Sequence, residues 1–193
     1  MKPILAFDVY GTLVDPMGMA DLLAPDAGQA AESVSAQWRE KQLEFSFRKG
    51  LMRMYEDFGA CTRQALRYAM ASHGLSLSGE REDELMGAYL SLPAFDDSLP
   101  ALESLKGEYR MFAFSNGTYP ALEKVLGHNH LLDLFEGLVS VDDIKSFKPD
   151  PAVYAYARRA TGAMDKSLCL VSSNAWDVIG ARAAGLTAIW VQR

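Results

Sequence analysis

The stretch Ile4-Leu5-Ala6-Phe7-Asp8-Val9-Tyr10-Gly11-Thr12-Leu13 places one carboxylate between two apolar runs. A strand buried in a parallel sheet is typically a continuous apolar run, so residues 4–9 are predicted to form the first strand. An aspartate at the carboxyl end of such a strand lies in the crevice where open α/β sheets bind ligands. Gly11 permits a tight turn whose backbone N–H groups face that crevice. Asp8 is therefore either a nucleophile or, as is common for a lone aspartate after a strand, a cap or turn residue.

The composition limits the classes of protein to which the chain can belong. It has 193 residues, of which 49% are hydrophobic and 23% charged, proportions that are typical of a globular protein with a sizeable core. The formal net charge of −6 argues against nucleic-acid binding, which requires a basic surface. Cys61 and Cys169 form no CxxC pair, so neither a disulfide framework nor a zinc site is expected.

The sequence shows no targeting or membrane signal. The first residues lack the basic region and cleavage site of a signal peptide, and no apolar run approaches the roughly 18 residues of a membrane span. A cytoplasmic protein without membrane association is expected. His73, His128 and His130 are scattered, which favours surface or turn positions over histidine-based catalysis.

A long segment without a strand pattern follows the first strand. Residues 16–29 contain two prolines and two glycines and are predicted to form a linker or a short helical piece. Apolar residues at three- and four-residue spacing then predict helices over residues 30–58, 62–73 and 79–89, with breaks at Gly59 and Gly74. Residues 16–97 are therefore interpreted as an all-helical cap domain inserted after the first strand.

The second half of the chain alternates buried strands with helices. Strands are predicted at residues 110–114, 138–140, 168–171 and 187–191, and helices at residues 99–106, 118–125, 150–161 and 176–185. This alternation predicts an α/β fold whose core, residues 1–15 and 98–193, is a doubly wound parallel Rossmann-like sheet. The chain ends directly after its last strand, so we expect a natural C-terminal piece to be missing.

Polar clusters stand at the carboxyl ends of four predicted strands. They are Asp8 to Thr12, Ser115-Asn116, Lys148 and Ser172 to Asp177. Because the carboxyl ends of parallel strands converge at one edge of a sheet, we expect these clusters to meet. A single Ser-Asn turn is usually only a helix cap. Four such clusters in register favour the interpretation of Asp8 as a nucleophile.

At these positions the sequence resembles the haloacid dehalogenase superfamily. The four motifs are Asp8-Val9-Tyr10-Gly11-Thr12-Leu13, Ser115-Asn116-Gly117, Lys148-Pro149-Asp150 and Ser172-Ser173-Asn174-Ala175-Trp176-Asp177. Within the superfamily, Tyr10, the segment Trp38-Arg39-Glu40-Lys41-Gln42-Leu43-Glu44 and the last motif resemble the (S)-2-haloacid dehalogenases. The resemblance covers essentially the whole chain. It implies a HAD-like fold, no cofactor, and a homodimer formed through the helical lobe.

Tyr10 separates two activities within this superfamily. By the resemblance, phosphatases carry a second aspartate at this position, which protonates the leaving alcohol and whose carbonyl helps to bind Mg²⁺. A tyrosine, with a pKa near 10, cannot act as that acid at ordinary pH. Lys148 beside Asp8 would also repel a divalent cation. A site without a metal ion is therefore expected.

The resemblance implies a reaction on short (S)-2-haloalkanoic acids. Asp8 attacks the carbon that bears the halogen and forms an aspartyl ester with inversion, so the product is an (R)-2-hydroxy acid. Lys148 keeps Asp8 ionised, Thr12 holds it, and Ser115 binds the substrate carboxylate at a helix N-terminus. The other implied roles are halide binding by Arg39, Asn116 and Trp176, and water activation by Asp177, oriented with Lys148, Ser172 and Asn174. Tyr154 would line the carboxylate end, and the apolar pocket would consist of Tyr10, Leu43, Phe58 and Trp176.

Simpler interpretations of the same residues remain open. Arg39 alone would be a surface residue of an amphipathic helix, Lys148 a loop residue, and Asp177 a helix cap. Phe58 and Trp176 could be ordinary core residues. Glu40 stands where the family commonly has glutamine, and its charge is expected to shift substrate preference or weaken binding. The rival functions are a Mg²⁺-dependent phosphatase of small esters and a non-catalytic interaction protein that retains the fold.

Overall fold

The computed structural model describes residues 2–163 and 167–193, and its centre is a parallel sheet. Within these residues the sheet has five strands in the order β3-β2-β1-β4-β5. The strands are β1 (Ile4–Phe7), β2 (Arg110–Ser115), β3 (Gly137–Ser140), β4 (Leu168–Ser172) and β5 (Thr187–Trp190). In the register, Ile4 faces Arg110 on one side and Leu168 on the other. The predicted doubly wound α/β fold is confirmed, with the strand that precedes Asp8 at its centre.

Eight α-helices lie in the described part of the chain. They are α1 (Met19–Ala27), α2 (Ala31–Met52), α3 (Phe58–Ser72), α4 (Gly79–Tyr89), α5 (Ser98–Leu105), α6 (Tyr119–His128), α7 (Pro151–Ala160) and α8 (Ala175–Ala183). Short 3₁₀ turns occur at Pro16–Gly18, Gly28–Ala30, Leu132–Leu134 and Val141–Ile144. Residues 16–97, all of them described, contain helices and no named strand, as predicted. None of the helices in the described residues is long and apolar enough to cross a membrane.

Residues 16–29 form the short helical piece that was one of the two predicted alternatives, the nine-residue helix α1 with Pro25 inside it, and Gly28 at φ 53° follows its end. Two predicted boundaries in the rest of the helical segment are wrong. The predicted helix over residues 30–58 stops at Met52, where Arg53 takes up a left-handed conformation at φ 56°. Phe58 begins α3, because the Asp57 side chain caps that helix by accepting from the Ala60 N–H at 2.8 Å. Gly59 lies inside α3 and marks no break.

The chain leaves the sheet and returns to it side by side. The Asp15 N–H donates to the Pro93 carbonyl at 2.9 Å, and the Phe95 N–H donates to the Leu13 carbonyl at 3.0 Å. These two hydrogen bonds lie next to the predicted domain boundaries, between residues 15 and 16 and between residues 97 and 98. The division into two domains stays a prediction. The pairing ties both ends of the helical segment to the loop that follows Asp8.

Candidate active site

Asp8 is buried directly after β1, with 5% of its surface exposed. Its Oδ2 accepts from Thr12 Oγ1 at 2.8 Å, Asn174 Nδ2 at 2.7 Å and Ser172 Oγ at 3.3 Å. Its Oδ1 accepts from Lys148 Nζ at 3.1 Å. Since these donors all stabilise a charged acceptor, the site is built to hold an aspartate carboxylate.

The turn after Asp8 explains why a glycine is needed there. The Val9 carbonyl accepts from the N–H groups of Thr12, Leu13 and Val14 at 3.2, 2.8 and 3.1 Å, which folds the chain back on itself. Gly11 sits in this turn at φ 90°, a conformation that side chains disfavour. A Cβ at Gly11 would also lie 3.4 Å from Asn174 Nδ2.

Lys148 is completely buried between two carboxylates. Its Nζ donates to Asp8 Oδ1 at 3.1 Å, Asp177 Oδ2 at 2.8 Å and the Phe114 carbonyl at 2.8 Å. Asn116 fixes the backbone here, because its Oδ1 accepts from the Lys148 N–H at 2.9 Å. Burial by itself would lower the pKa of Lys148, but the charges of Asp177 and Asp8 outweigh burial and raise it. Lys148 is therefore an ammonium ion at neutral pH.

Asp177 stands in the first turn of α8 and is fully buried. Burial, together with the negative charge of Asp8, raises the pKa of Asp177, while Lys148 and the Tyr154 hydroxyl oppose the rise. Tyr154 donates to Asp177 Oδ1 at 2.8 Å, and burial beside this carboxylate raises the pKa of Tyr154 as well. Asp177 is thus a buried carboxylate with a greater than usual affinity for a proton, which is suitable for a general base.

A small cavity of about 10 Å³ lies in front of Asp8. Eight predicted site residues line it: Asp8, Tyr10, Arg39, Leu43, Phe58, Ser115, Asn116 and Trp176. This volume is about enough for one water molecule. Tyr10 and Phe58 also line a larger cavity of about 400 Å³. Burial raises the pKa of Tyr10 beyond its ordinary value, which further excludes it as an acid.

Arg39 comes to this cavity from the helical segment. Its Nη2 donates to the Tyr10 carbonyl at 3.1 Å, and its Nη1 donates to Gln42 Oε1 at 2.6 Å. Trp176 is held from the same side, since its ring contacts Phe47 edge-on with centroids 5.1 Å apart. The cavity therefore joins residues from α2 and α3 to residues from the carboxyl edge of the sheet.

Several predicted residues lie elsewhere than expected. Tyr154 does not line the cavity, because its hydroxyl is bonded to Asp177. Ser172 and Asn174 donate to Asp8, whereas they were expected to orient Asp177. Glu40 is exposed on α2 and is not part of the cavity wall.

The sequence argument missed Gln42, Thr62 and Tyr89, which surround the inner side of Arg39. One signal was available, since Trp38, Gln42 and Ser46 recur at four-residue spacing and form the buried face of α2. A polar side chain on such a face requires a partner.

In residues 2–163 and 167–193, no three His, Cys, Asp or Glu side chains are grouped to hold a metal ion.

The chain is similar in sequence to known hydrolases. A family model for haloacid dehalogenase-like hydrolases matches residues 3–185. The (S)-2-haloacid dehalogenase 1 of Pseudomonas sp. (strain CBS-3) is 38% identical over 196 residues, which cover 100% of this chain and 86% of that protein. The (S)-2-haloacid dehalogenase 4A of Burkholderia cepacia is 37% identical over 188 residues, which cover 97% of this chain and 81% of that protein.

A solved structure has the same fold. The L-2-haloacid dehalogenase of Xanthobacter autotrophicus with chloropropionic acid covalently bound superimposes with a TM-score of 0.94 and 32% identity. The match covers 99% of this chain and 78% of that one. From the sheet order, the buried aspartate after β1 and these matches, the chain belongs to the family of haloacid dehalogenase-like hydrolases.

Proposed function

We propose that this chain is an (S)-2-haloacid dehalogenase that converts short (S)-2-haloalkanoic acids into (R)-2-hydroxy acids and halide. The observation that carries the proposal is the buried Asp8 carboxylate, faced by Arg39 and by the uncharged ring of Tyr10. A phosphatase would need a carboxylic acid where Tyr10 stands. The curated relatives and the solved structure named above support the same activity.

In the first step, Asp8 forms a bond to C2 of the substrate as the carbon–halogen bond breaks. The halide leaves with the bonding electron pair, C2 is inverted, and an aspartyl ester results. We assign the attack to Oδ1, because Oδ2 already accepts three hydrogen bonds. Arg39 stabilises the departing halide, and Ser115 with the N–H groups of its loop binds the substrate carboxylate.

In the second step, water hydrolyses the ester. Asp177 accepts a proton from the water, whose oxygen attacks the carboxyl carbon of Asp8 and releases the hydroxy acid. Tyr154 holds the Asp177 carboxylate for this step, at 2.8 Å from its Oδ1. Lys148 stabilises the negative charge that develops on the carboxyl oxygen of Asp8. The bond between the Asp8 carboxyl carbon and the C2 oxygen breaks, and this oxygen takes up the proton that Asp177 received, which completes the hydroxyl group of the product. The water oxygen remains in the Asp8 carboxyl group, whose proton is released to solvent, so both carboxylates return to their starting state.

The reaction is also proposed to need no metal ion. The Lys148 ammonium contacts both Asp8 and Asp177 and so supplies a positive charge to the two carboxylates, which supports this proposal. The homodimer and the cytoplasmic location stay predictions. Light scattering on the purified protein tests the first of these.

Halide release from the two enantiomers of 2-chloropropionate, in the presence of EDTA, tests the proposal. We expect release from the (S) enantiomer only, and complete loss of release in Asp8→Asn. A single turnover in H₂¹⁸O should place the label in the Asp8 carboxylate, whereas direct attack by water would place it in the product. Turnover of p-nitrophenyl phosphate that requires Mg²⁺, without halide release, would refute the proposal. No reaction in either assay would favour a non-catalytic role.

A further inference from the structure

A buried polar network contacts the Arg39 guanidinium through residues that do not line the cavity in front of Asp8. Gln42 is completely buried, and its Oε1 accepts from Arg39 Nη1 at 2.6 Å and from the Tyr89 hydroxyl at 3.0 Å. Its Nε2 donates to Thr62 Oγ1 at 2.6 Å, and Thr62 Oγ1 donates to the Phe58 carbonyl at 2.7 Å. The network thus joins α2, α3 and α4 beneath one guanidinium group.

The direction of each hydrogen bond in this network is fixed. A guanidinium group only donates, so the oxygen of the Gln42 amide must face Arg39. The Thr62 hydroxyl gives its proton to the Phe58 carbonyl and can therefore only accept from Gln42. Flipping the amide of Gln42 would set donor against donor at Arg39, because a guanidinium group cannot accept a hydrogen bond. The buried amide has one satisfied orientation, and this orientation holds Arg39 Nη1 in place.

We propose that Gln42 and Thr62 are positioning residues that aim the Arg39 guanidinium at the departing halide. Gln42 holds Nη1 and the Tyr10 carbonyl holds Nη2, so two bonds fix the plane of a group with five N–H donors. Neither Gln42 nor Thr62 lines the cavity in front of Asp8. Gln42 contacts Arg39 directly, and Thr62 contacts Gln42 and also lines the larger cavity of about 400 Å³. This inference rests on the proposed dehalogenase function.

The leaving group distinguishes positioning from simple structural support. Chloride is a poorer leaving group than bromide, so it depends more on stabilisation in the transition state. Only interactions that are stronger in the transition state than in the ground state accelerate the chemical step. A displaced Arg39 must therefore slow the chloro substrate more than the bromo substrate, whereas a generally loosened protein slows both equally.

The experiment compares three variants with the wild-type protein. Gln42→Leu removes the amide, Thr62→Val removes the acceptor that orients the amide, and Gln37→Leu is the matched control on the same helix. Gln37 is bonded to Ser72 and lies outside the network. Single-turnover rates of ester formation are measured with (S)-2-chloropropionate and (S)-2-bromopropionate, and thermal melts confirm folding.

We expect Gln42→Leu to slow the chloro substrate by about 10- to 100-fold, as for loss of a hydrogen bond to a charged group. The bromo substrate should slow by at least about threefold less, and Thr62→Val should change the ratio in the same direction. Gln37→Leu should stay within about twofold of wild type for both substrates. Equal slowing of the two substrates in Thr62→Val would overturn the proposal. If Gln42→Leu does not fold, Thr62→Val alone tests the proposal.

Binding of bromide separates this inference from the proposed function. Trp176 lines the cavity, so bromide should quench tryptophan fluorescence in a saturable way. If the wild-type protein releases no halide, the proposed function is wrong, and the affinity for bromide still reports the placement of Arg39. Weaker binding in Gln42→Leu and Thr62→Val, with unchanged binding in Gln37→Leu, supports the positioning role. Equal affinity in all four proteins refutes it.

Discussion

Replacing Lys148 by Met should make the stability of the protein depend strongly on pH. The change removes hydrogen bonds from Asp8, Asp177 and the Phe114 carbonyl, all of them buried. Removing one member of a buried ion pair destabilises a protein by about 3–5 kcal/mol, because a charge is left without a partner. For a domain of this size that corresponds to a fall in Tm of about 6–20 °C.

The sign of the pH dependence follows from Asp177. Burial raises the pKa of this carboxyl in the folded state, and Lys148 opposes the rise. Without Lys148 the folded protein binds a proton that the unfolded chain releases above about pH 4, so stability falls as the pH rises. While the proton is held, the slope is up to about 1.4 kcal/mol per pH unit, so the deficit against wild type grows by up to about 2.7 kcal/mol from pH 5 to 7.

Urea unfolding followed by tryptophan fluorescence, at pH 5, 6 and 7, measures this deficit. Lys145→Met is the matched control, since the Lys145 side chain is 63% exposed and its pair with Asp142 should contribute less than about 1 kcal/mol. The double variant Lys148→Met/Asp177→Asn should recover stability at pH 7, because Asp8 keeps Thr12 and Asn174 as donors. A deficit for Lys148→Met below about 1 kcal/mol at pH 7, or one that does not change with pH, would refute the reasoning.

Two further changes test the second half of the reaction. Asp177→Asn should let the ester form but not hydrolyse, and mass spectrometry would detect the ester as an adduct of the protein. In the wild-type protein, the rate of ester hydrolysis should fall at acidic pH with a midpoint above the ordinary aspartate pKa of about 4, because burial raises the pKa of Asp177. A midpoint at the ordinary aspartate pKa would contradict the role of burial. Gly180→Ala should destabilise the protein by about 1–3 kcal/mol and slow hydrolysis, since the new Cβ would lie 2.5 Å from Tyr154 Oη and 2.6 Å from Pro149 Cβ. Gly127→Ala, which meets nothing within 4 Å, should be neutral or stabilising in the same melts, and equal effects of the two variants would exclude the steric reasoning.

The sheet was predictable because its strands are buried on both faces. All four residues of β1 are buried, which is why Ile4 to Phe7 are continuously apolar. Because polar clusters follow the ends of these strands, Asp8, Ser115, Lys148 and Asp177 could be predicted to lie near one another without knowledge of their contacts. The strand ended earlier than predicted, at Phe7, because the next residues turn back onto the Val9 carbonyl.

The helical segment was harder to predict, because its boundaries depend on conformations that composition does not reveal. Arg53 ends α2 in a left-handed conformation without a glycine, and Pro25 is accommodated inside a short helix. The partners of buried polar groups were also out of reach. Nothing in the spacing along the chain indicates that Tyr154 bonds Asp177, or that Thr62 receives the amide of Gln42.

The position of β1 in the sheet has a consequence for the kinetics of folding. Ile4 pairs with Arg110 and Leu168, so both neighbours of the central strand come from distant parts of the chain. Contacts between residues so far apart in sequence form slowly, because the entropy of closing the intervening loops opposes them. The helices of residues 16–97 rest on local contacts and should form earlier. Recovery of halide release during refolding should therefore lag behind recovery of the helical circular dichroism signal. A nascent chain that ends before β4 also lacks Ser172 and Asn174, which donate hydrogen bonds to Asp8.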